Sequence, residues 1–129
     1  MESSGPIKTG VRDLRERLMD FAVNVIKGLE TLRHHPEGKH LVNQLFRSTT
    51  SVGANYEEAQ AAESRADFVH KMQIALKELR ETSFWLRLSE RVGWFESEWR
   101  KQMVQESDEL LRILSKAVIT AKKPFRHHV

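Results

Sequence analysis

The sequence predicts an all-α chain folded as an antiparallel, up-down-up-down four-helix bundle. Three observations carry that reading. Apolar residues recur at steps of three and four along four separate segments, the spacing of one helix face. Pro36, Gly38, Gly93 and Pro124 fall between or after those segments, where such residues punctuate a chain. No stretch alternates with period two over the length of a strand.

Each element follows from its own pattern. The first helix is expected near 11–34, with Val11, Leu14, Leu18, Phe21, Val25 and Leu32 on one line and Ala22, Ile26 and Leu29 widening it. The second is expected near 36–61, from Leu41, Leu45, Val52 and Ala59 beside Val42, Phe46 and Tyr56. Pro36 suits its first turn, where the missing N–H costs nothing. The third is expected near 65–92, from Phe68, Met72, Ala75, Leu79 and Leu86 beside Val69, Leu76 and Phe84. Ser64 followed by Asp67 resembles a capping box. The fourth is expected near 97–122, from Trp99, Met103, Leu110, Leu114, Ala117 and Ala121 beside Ile113 and Val118, with Ser97 as N-cap. Helices of about 22–28 residues are roughly 33–42 Å long, and matched lengths with short loops make a bundle. Residues 1–10 read as a flexible arm, 11–122 as the bundle and 123–129 as a basic tail. Gly28 and Gly53 lie inside helical patterns and need separate reasons.

Composition narrows the function classes. At 129 residues the chain has the length of one domain and buries roughly two thirds of its unfolded surface. It has no cysteine, which excludes disulfide scaffolds and thiolate zinc sites. Its apolar runs are too short for a membrane-spanning helix. Residues 1–6 lack the apolar stretch of a signal peptide, so a cytoplasmic, membrane-free location is expected. The net charge is +3, with 21 Lys and Arg against 18 Asp and Glu. No acid follows Glu109, whereas Arg112, Lys116, Lys122, Lys123 and Arg126 do. That cluster either complements a helix dipole or forms a candidate nucleic-acid contact.

Enzymatic signatures are missing. The run Ser48-Thr49-Thr50-Ser51 has no histidine at a helical neighbour spacing to act as base. There is no Walker motif, dinucleotide fingerprint or glycine-rich phosphate loop. Glu37…His40 and Asp67…His70 have the spacing of di-iron ligands. Both begin helices that run antiparallel, so they sit roughly 30 Å apart and cannot share one cluster. His34, His35 and His40 read as polar loop residues rather than metal ligands, and His127 and His128 as part of the tail. The chain is therefore expected to be no enzyme and to hold no metal or cofactor.

One stretch resembles a known family. Arg47, Ser48, Ser51, Val52, Asn55, Glu58 and Ala59 follow the pattern Arg-Ser or Arg-Ala, Ser-Ile/Val, a small residue, Asn, and Glu-Gly or Glu-Ala. Asp67-Phe68, Ala75, Glu78 and Glu81 extend the match into the next helix. The pattern resembles the bacterial four-helix-bundle proteins first noted as reading frames in intervening sequences of 23S ribosomal RNA genes. The likeness spans residues 12–120. It implies an up-down-up-down bundle and a homo-oligomer, specifically a ring-shaped homopentamer. A related branch, the accessory variability proteins of diversity-generating retroelements, partners a reverse transcriptase and binds nucleic acid. That branch is markedly more basic than this chain.

The motif residues Arg47, Ser51, Asn55 and Glu58 share one face of the second helix. Antiparallel pairing brings Arg47 to Glu78 or Glu81 and Glu58 to Lys71. Such a network fixes helix register or a subunit contact, or holds a small polar ligand or metal inside the bundle. Ser48, Ser51, Gly53 and Ala54 would let two helices approach closely. Trp85, Trp94 and Trp99 bracket the third turn with Arg91 and Arg100. They read as packing or as a candidate subunit interface, with base stacking as the other use of that combination. The function expected is a non-enzymatic oligomeric scaffold or adaptor, with RNA, DNA or a protein as partner.

Overall fold

A computed structural model describes residues 10–124, with side chains from Leu14 to Pro124. The side chain of Val11, and Arg126, His127 and His128 with most of the expected arm and tail, lie outside what it describes. Four helices follow one another: α1 (Gly10–Leu29), α2 (Lys39–Gln60), α3 (Arg65–Val92) and α4 (Ser97–Lys122). α1 packs beside α2 and α4, and α3 packs beside the same two, so α1 and α3 are diagonal. The expected four-helix bundle is the observed fold.

The ends show why the boundaries fall where they do. α1 stops five residues short of expectation, and two single turns of 3₁₀ helix, Glu30–Leu32 and Pro36–Gly38, complete the connection. Pro36 forces the residue before it out of the helical region, and His35 is extended at φ −90°, ψ 114°. The His35 Nδ1 accepts the Gly38 N–H at 3.2 Å. Ser64 Oγ accepts the Asp67 N–H at 3.0 Å, as the capping pattern requires. α3 ends at Gly93, whose φ of 87° a side chain would resist. The Trp94 N–H then closes onto the Ser89 carbonyl at 3.0 Å. The N-cap of α4 is Glu96 rather than the expected Ser97. The Glu96 carboxylate accepts the N–H groups of Glu98 and Trp99, each at 3.0 Å, and those bonds hold its pKa below the usual range. The extended backbone at Glu96 places its carboxylate over the first turn, leaving Ser97 inside the helix.

The core consists of the predicted stripes. Leu14, Leu18, Phe21 and Val25 of α1 meet Leu41, Leu45, Val52 and Tyr56 of α2, Met72, Leu79 and Leu86 of α3, and Leu110 and Leu114 of α4. Each such side chain contributes about 1.5–3 kcal/mol on burial. An exposed ion pair contributes about 0–1 kcal/mol, so the stripes carry the stability. Ion pairs mark every helix–helix edge instead. Arg15 bonds Glu57 between α1 and α2, and Arg17 bonds Glu106 and Glu109 between α1 and α4. Arg47 bonds Glu78 and Glu81 between α2 and α3, and Arg87 bonds Asp108 between α3 and α4.

Two expectations about packing are corrected. Phe46 and Phe84, read as flanking the core stripes, are 50% and 56% exposed, and Ile113 is also exposed. Each lies too far around its helix to reach the core. Gly53 does not serve a close helix approach, because a Cβ there would meet nothing within 4 Å. Gly28 does: a Cβ at that position would overlap the indole of Trp99. Trp99 packs its indole against α1 at Gly28 and donates its Nε1–H to the Asn24 carbonyl at 3.0 Å.

Candidate functional site

The family-like polar residues assemble along the α2–α3 seam. Arg47 Nη1 donates to Glu78 at 3.1 Å, and its Nη2 donates to Glu81 at 2.5 Å. Glu81 also accepts the Trp85 Nε1–H at 3.1 Å. The Arg47 guanidinium, with help from that indole, holds the Glu81 carboxyl below the usual carboxylate range. One end further along, Lys71 Nζ meets Glu58 at 2.7 Å, and Glu58 raises the Lys71 pKa. Both pairings were legible from antiparallel register. Asn55 does not join them, since its Nδ2–H donates to the Ser51 carbonyl of its own helix at 2.9 Å.

The seam lies on the outside of the bundle. Arg47 and Glu58 are exposed, and Asn55 and Glu81 are half-buried. The alternative reading, a ligand or metal site in the core, therefore loses its residues, because their charges pair with one another near solvent. What polarity the core does hold is hydroxyl. Ser48 and Thr82 are fully buried with their oxygens 2.8 Å apart, and the Thr82 hydroxyl donates to the Glu78 carbonyl at 2.9 Å. Among the described residues, no group of three or more His, Asp or Glu is arranged to hold a metal ion.

The tryptophans are engaged inside one chain. Trp99 is held against Gly28 and Phe95, and Trp94 packs its ring 5.3 Å from that of His35. Trp85 touches the rings of His40 and Phe84. All three remain partly exposed. Phe95 adopts φ 69°, a conformation costing about 1–3 kcal/mol in a bulky residue. Its ring contact with Trp99, at 4.5 Å, accompanies that backbone in closing the α3–α4 turn.

The basic end of α4 is arranged differently from a simple dipole cap. Its last carbonyls are taken by Arg65 of α3, which donates from Nε and Nη2 to Ala121 at 3.1 and 2.8 Å and from Nη2 also to Lys123. Arg112, Lys116, Lys122 and Lys123 are all exposed. Among the described residues none of them has a carboxylate partner. The acids nearest Arg112 on its own helix are committed elsewhere, Asp108 to Arg87 and Glu109 to Arg17. Arg126, the fifth member of the expected cluster, lies outside the described residues.

The family model for the 23S rRNA-intervening sequence protein matches residues 13–116. The chain belongs to that family. A crystal structure of a protein of unknown function from the S23 ribosomal protein family of Bacteroides thetaiotaomicron is similar to it at 34% identity. The likeness covers 81% of this chain and 97% of that one, with a TM-score of 0.75. No curated protein matches. Among the described residues of this intervening-sequence family member, no helix is long and apolar enough to cross a membrane.

Several structural residues were not singled out from the sequence. Arg15 and Arg17 clamp α1 to both neighbours, and the hydrogen bond to Glu106, with that to Glu109, raises the Arg17 pKa against the opposing effect of burial. Arg65 caps a helix 56 positions away. Their signal was only that each precedes or interrupts an apolar stripe at an edge position, and many surface arginines do so.

Proposed function

We propose that this chain is a non-enzymatic, self-associating scaffold that presents the basic face of α4 to the phosphate backbone of a nucleic acid. The observation that carries the reading is the set Arg112, Lys116, Lys122 and Lys123, exposed and without carboxylate partners among the described residues, while Arg65 supplies the cap that would otherwise explain the cations. Phosphates are the natural counter-charge for such a line, because each neutralised phosphate releases condensed counterions. One copy has only a modest charge of +3. Repetition around an oligomer multiplies weak contacts through avidity, and a ring of five, the stoichiometry the family resemblance implies, would carry about +15. The family's description names ribosomal RNA gene sequence, which makes structured RNA the first ligand to try.

Fluorescence anisotropy with structured RNA and duplex DNA, over a salt series and with nuclease-treated protein, tests this. The expected result is an affinity that falls log-linearly with salt. Lys122→Glu with Lys123→Glu should weaken binding and make the slope shallower by roughly 2. Absence of binding at low salt, or a slope untouched by those changes, overturns the phosphate reading.

A further inference from the structure

The geometry points to a second contact with the same nucleic acid: the cleft between α1 and the start of α4 takes the base of an unpaired nucleotide. The inference rests on the phosphate reading above and adds a site for a base, where the cations at the far end of α4 hold only the backbone.

The cleft is a cavity of about 390 Å³, within the range of about 300–1,000 Å³ usual for ligand sites. Its aromatic wall is Phe95 and Trp99, whose rings stand 4.5 Å apart and are inclined at 46°. Both are half-buried, so each keeps ring surface open to a ligand. Trp99 is fixed before anything binds. Its indole sits on Gly28, and its Nε1–H is bonded to the Asn24 carbonyl. Phe95 is fixed by a backbone at φ 69°, where a turn alone would favour glycine. The chain instead carries a ring at that position, on the cavity wall. Aromatic surface held in place beforehand loses little freedom when a base stacks on it.

The rim selects the ligand. The Asn24 side-chain amide is exposed on α1 and, among the described residues, has no hydrogen-bond partner. Across the cleft the Gln102 amide donates only to Glu98, at 3.3 Å, which leaves its oxygen to accept. Amides offer donors and acceptors together, as the edges of a base do. A hydrocarbon ring would match the wall but not this rim. Three charges stand at the mouth. Glu96 has both carboxylate oxygens bound to the N–H groups of Glu98 and Trp99, and Glu98 accepts from Gln102. Lys27 is exposed and has no carboxylate partner among the described residues. The uncommitted charge is therefore a cation, which suits the phosphate attached to a base.

The two contacts lie apart on one helix. Trp99 and Lys116 are 17 positions apart, or about 26 Å along α4. Paired bases are held in their stack and cannot enter the cleft, so the site distinguishes unpaired ends and loops from duplex.

Fluorescence anisotropy tests this with three RNA hairpins that share one stem: blunt, with a short adenosine tail, and with an abasic tail of equal length. The abasic tail keeps the phosphates and lacks the bases. Wild type is expected to bind the adenosine tail about tenfold more tightly than the abasic one. Phe95→Gly should remove that preference and leave the affinity and salt slope of the blunt hairpin unchanged, because glycine fits the backbone there. Asn24→Ala spares the bond from Trp99, which is made to the Asn24 backbone. It should reduce the preference, and it replaces Phe95→Gly if circular dichroism shows that variant unfolded. Equal affinity for the two tails, or a preference that survives both variants, overturns the base site and leaves the phosphate reading standing. Adenosine monophosphate is titrated alone against tryptophan fluorescence. If it saturates wild type but not Phe95→Gly while the tails bind equally, the RNA strand is overturned as the source of the base. No binding of any hairpin at low salt overturns both the base site on RNA and the phosphate reading.

Discussion

Gly28 shows how one absent methyl group shapes the molecule. Alanine in a helix interior is normally favoured over glycine by about 1 kcal/mol. At Gly28 the added Cβ would collide with the Trp99 indole, and overpacking costs about 1–3 kcal/mol. Steric cost outweighs propensity, so Gly28→Ala should lower the urea midpoint and change tryptophan fluorescence. A raised midpoint would refute the contact. The buried Ser48–Thr82 hydroxyl pair makes a second case. Thr82→Val keeps the shape but leaves Ser48 without its partner, for a loss of about 1–3 kcal/mol in the same unfolding assay. Glu81 adds a pH dependence. Its carboxyl is held below the ordinary value by Arg47 and Trp85, so its contribution is present above the unfolded pKa and is lost as pH falls through the folded one. Glu81→Gln should therefore flatten the acid limb of stability below about pH 4.5. An unchanged limb would mean the pair is too well solvated to matter.

At the scale of elements, the caps decide where helices begin. Ser64 and Glu96 each satisfy N–H groups that the helix itself cannot. Ser64→Ala should cost about 1 kcal/mol, read from thermal unfolding. The α2–α3 seam is the other feature at this scale. Its ion pairs fall along the edge in antiparallel order, with Glu58 meeting Lys71 near the turn and Arg47 meeting Glu78 and Glu81 farther away. Each pair is partly solvated and stabilises little. A shift by one helical turn would break them together, so their effect is on register. Reversing Arg47 to Glu should therefore harm α2–α3 packing more than a single exposed charge would suggest. Amide exchange along α2 and α3 measures it.

The whole molecule presents three different outer surfaces. One is the basic end of α4, another the exposed apolar residues Phe84, Leu88 and Val92 of α3, and the third the cavity lined by Met19, Val23 and Gly53 between α1 and α2. They lie apart around the bundle, so the self-association proposed above need not cover the basic end of α4. Phosphate binding should accordingly survive the loss of assembly but weaken, because avidity is removed while the local contact stays. At protein concentrations where light scattering finds single copies, RNA binding should retain its salt dependence per copy and lose apparent affinity. Equal affinity for single and assembled copies would show that assembly and binding are independent.

Periodicity determined the four helices, because an apolar stripe at steps of three and four has one stable outcome when four such stripes occur in one short chain. Register followed too, since short turns and antiparallel neighbours leave few pairings for Arg47 and Glu58. The sequence also located the basic cluster and the family. Tertiary structure decided what a one-dimensional pattern leaves open. Phe46 and Phe84 carry the same apolar signal as core residues, and only the angle at which each helix sits turned them to solvent. Gly28 and Gly53 read alike as helical glycines, yet one is filled by a tryptophan from 71 positions away and the other faces open space. Arg65 became a cap because α3 begins where α4 ends. Each of these outcomes depends on contacts between residues distant in sequence, and no local spacing encodes them.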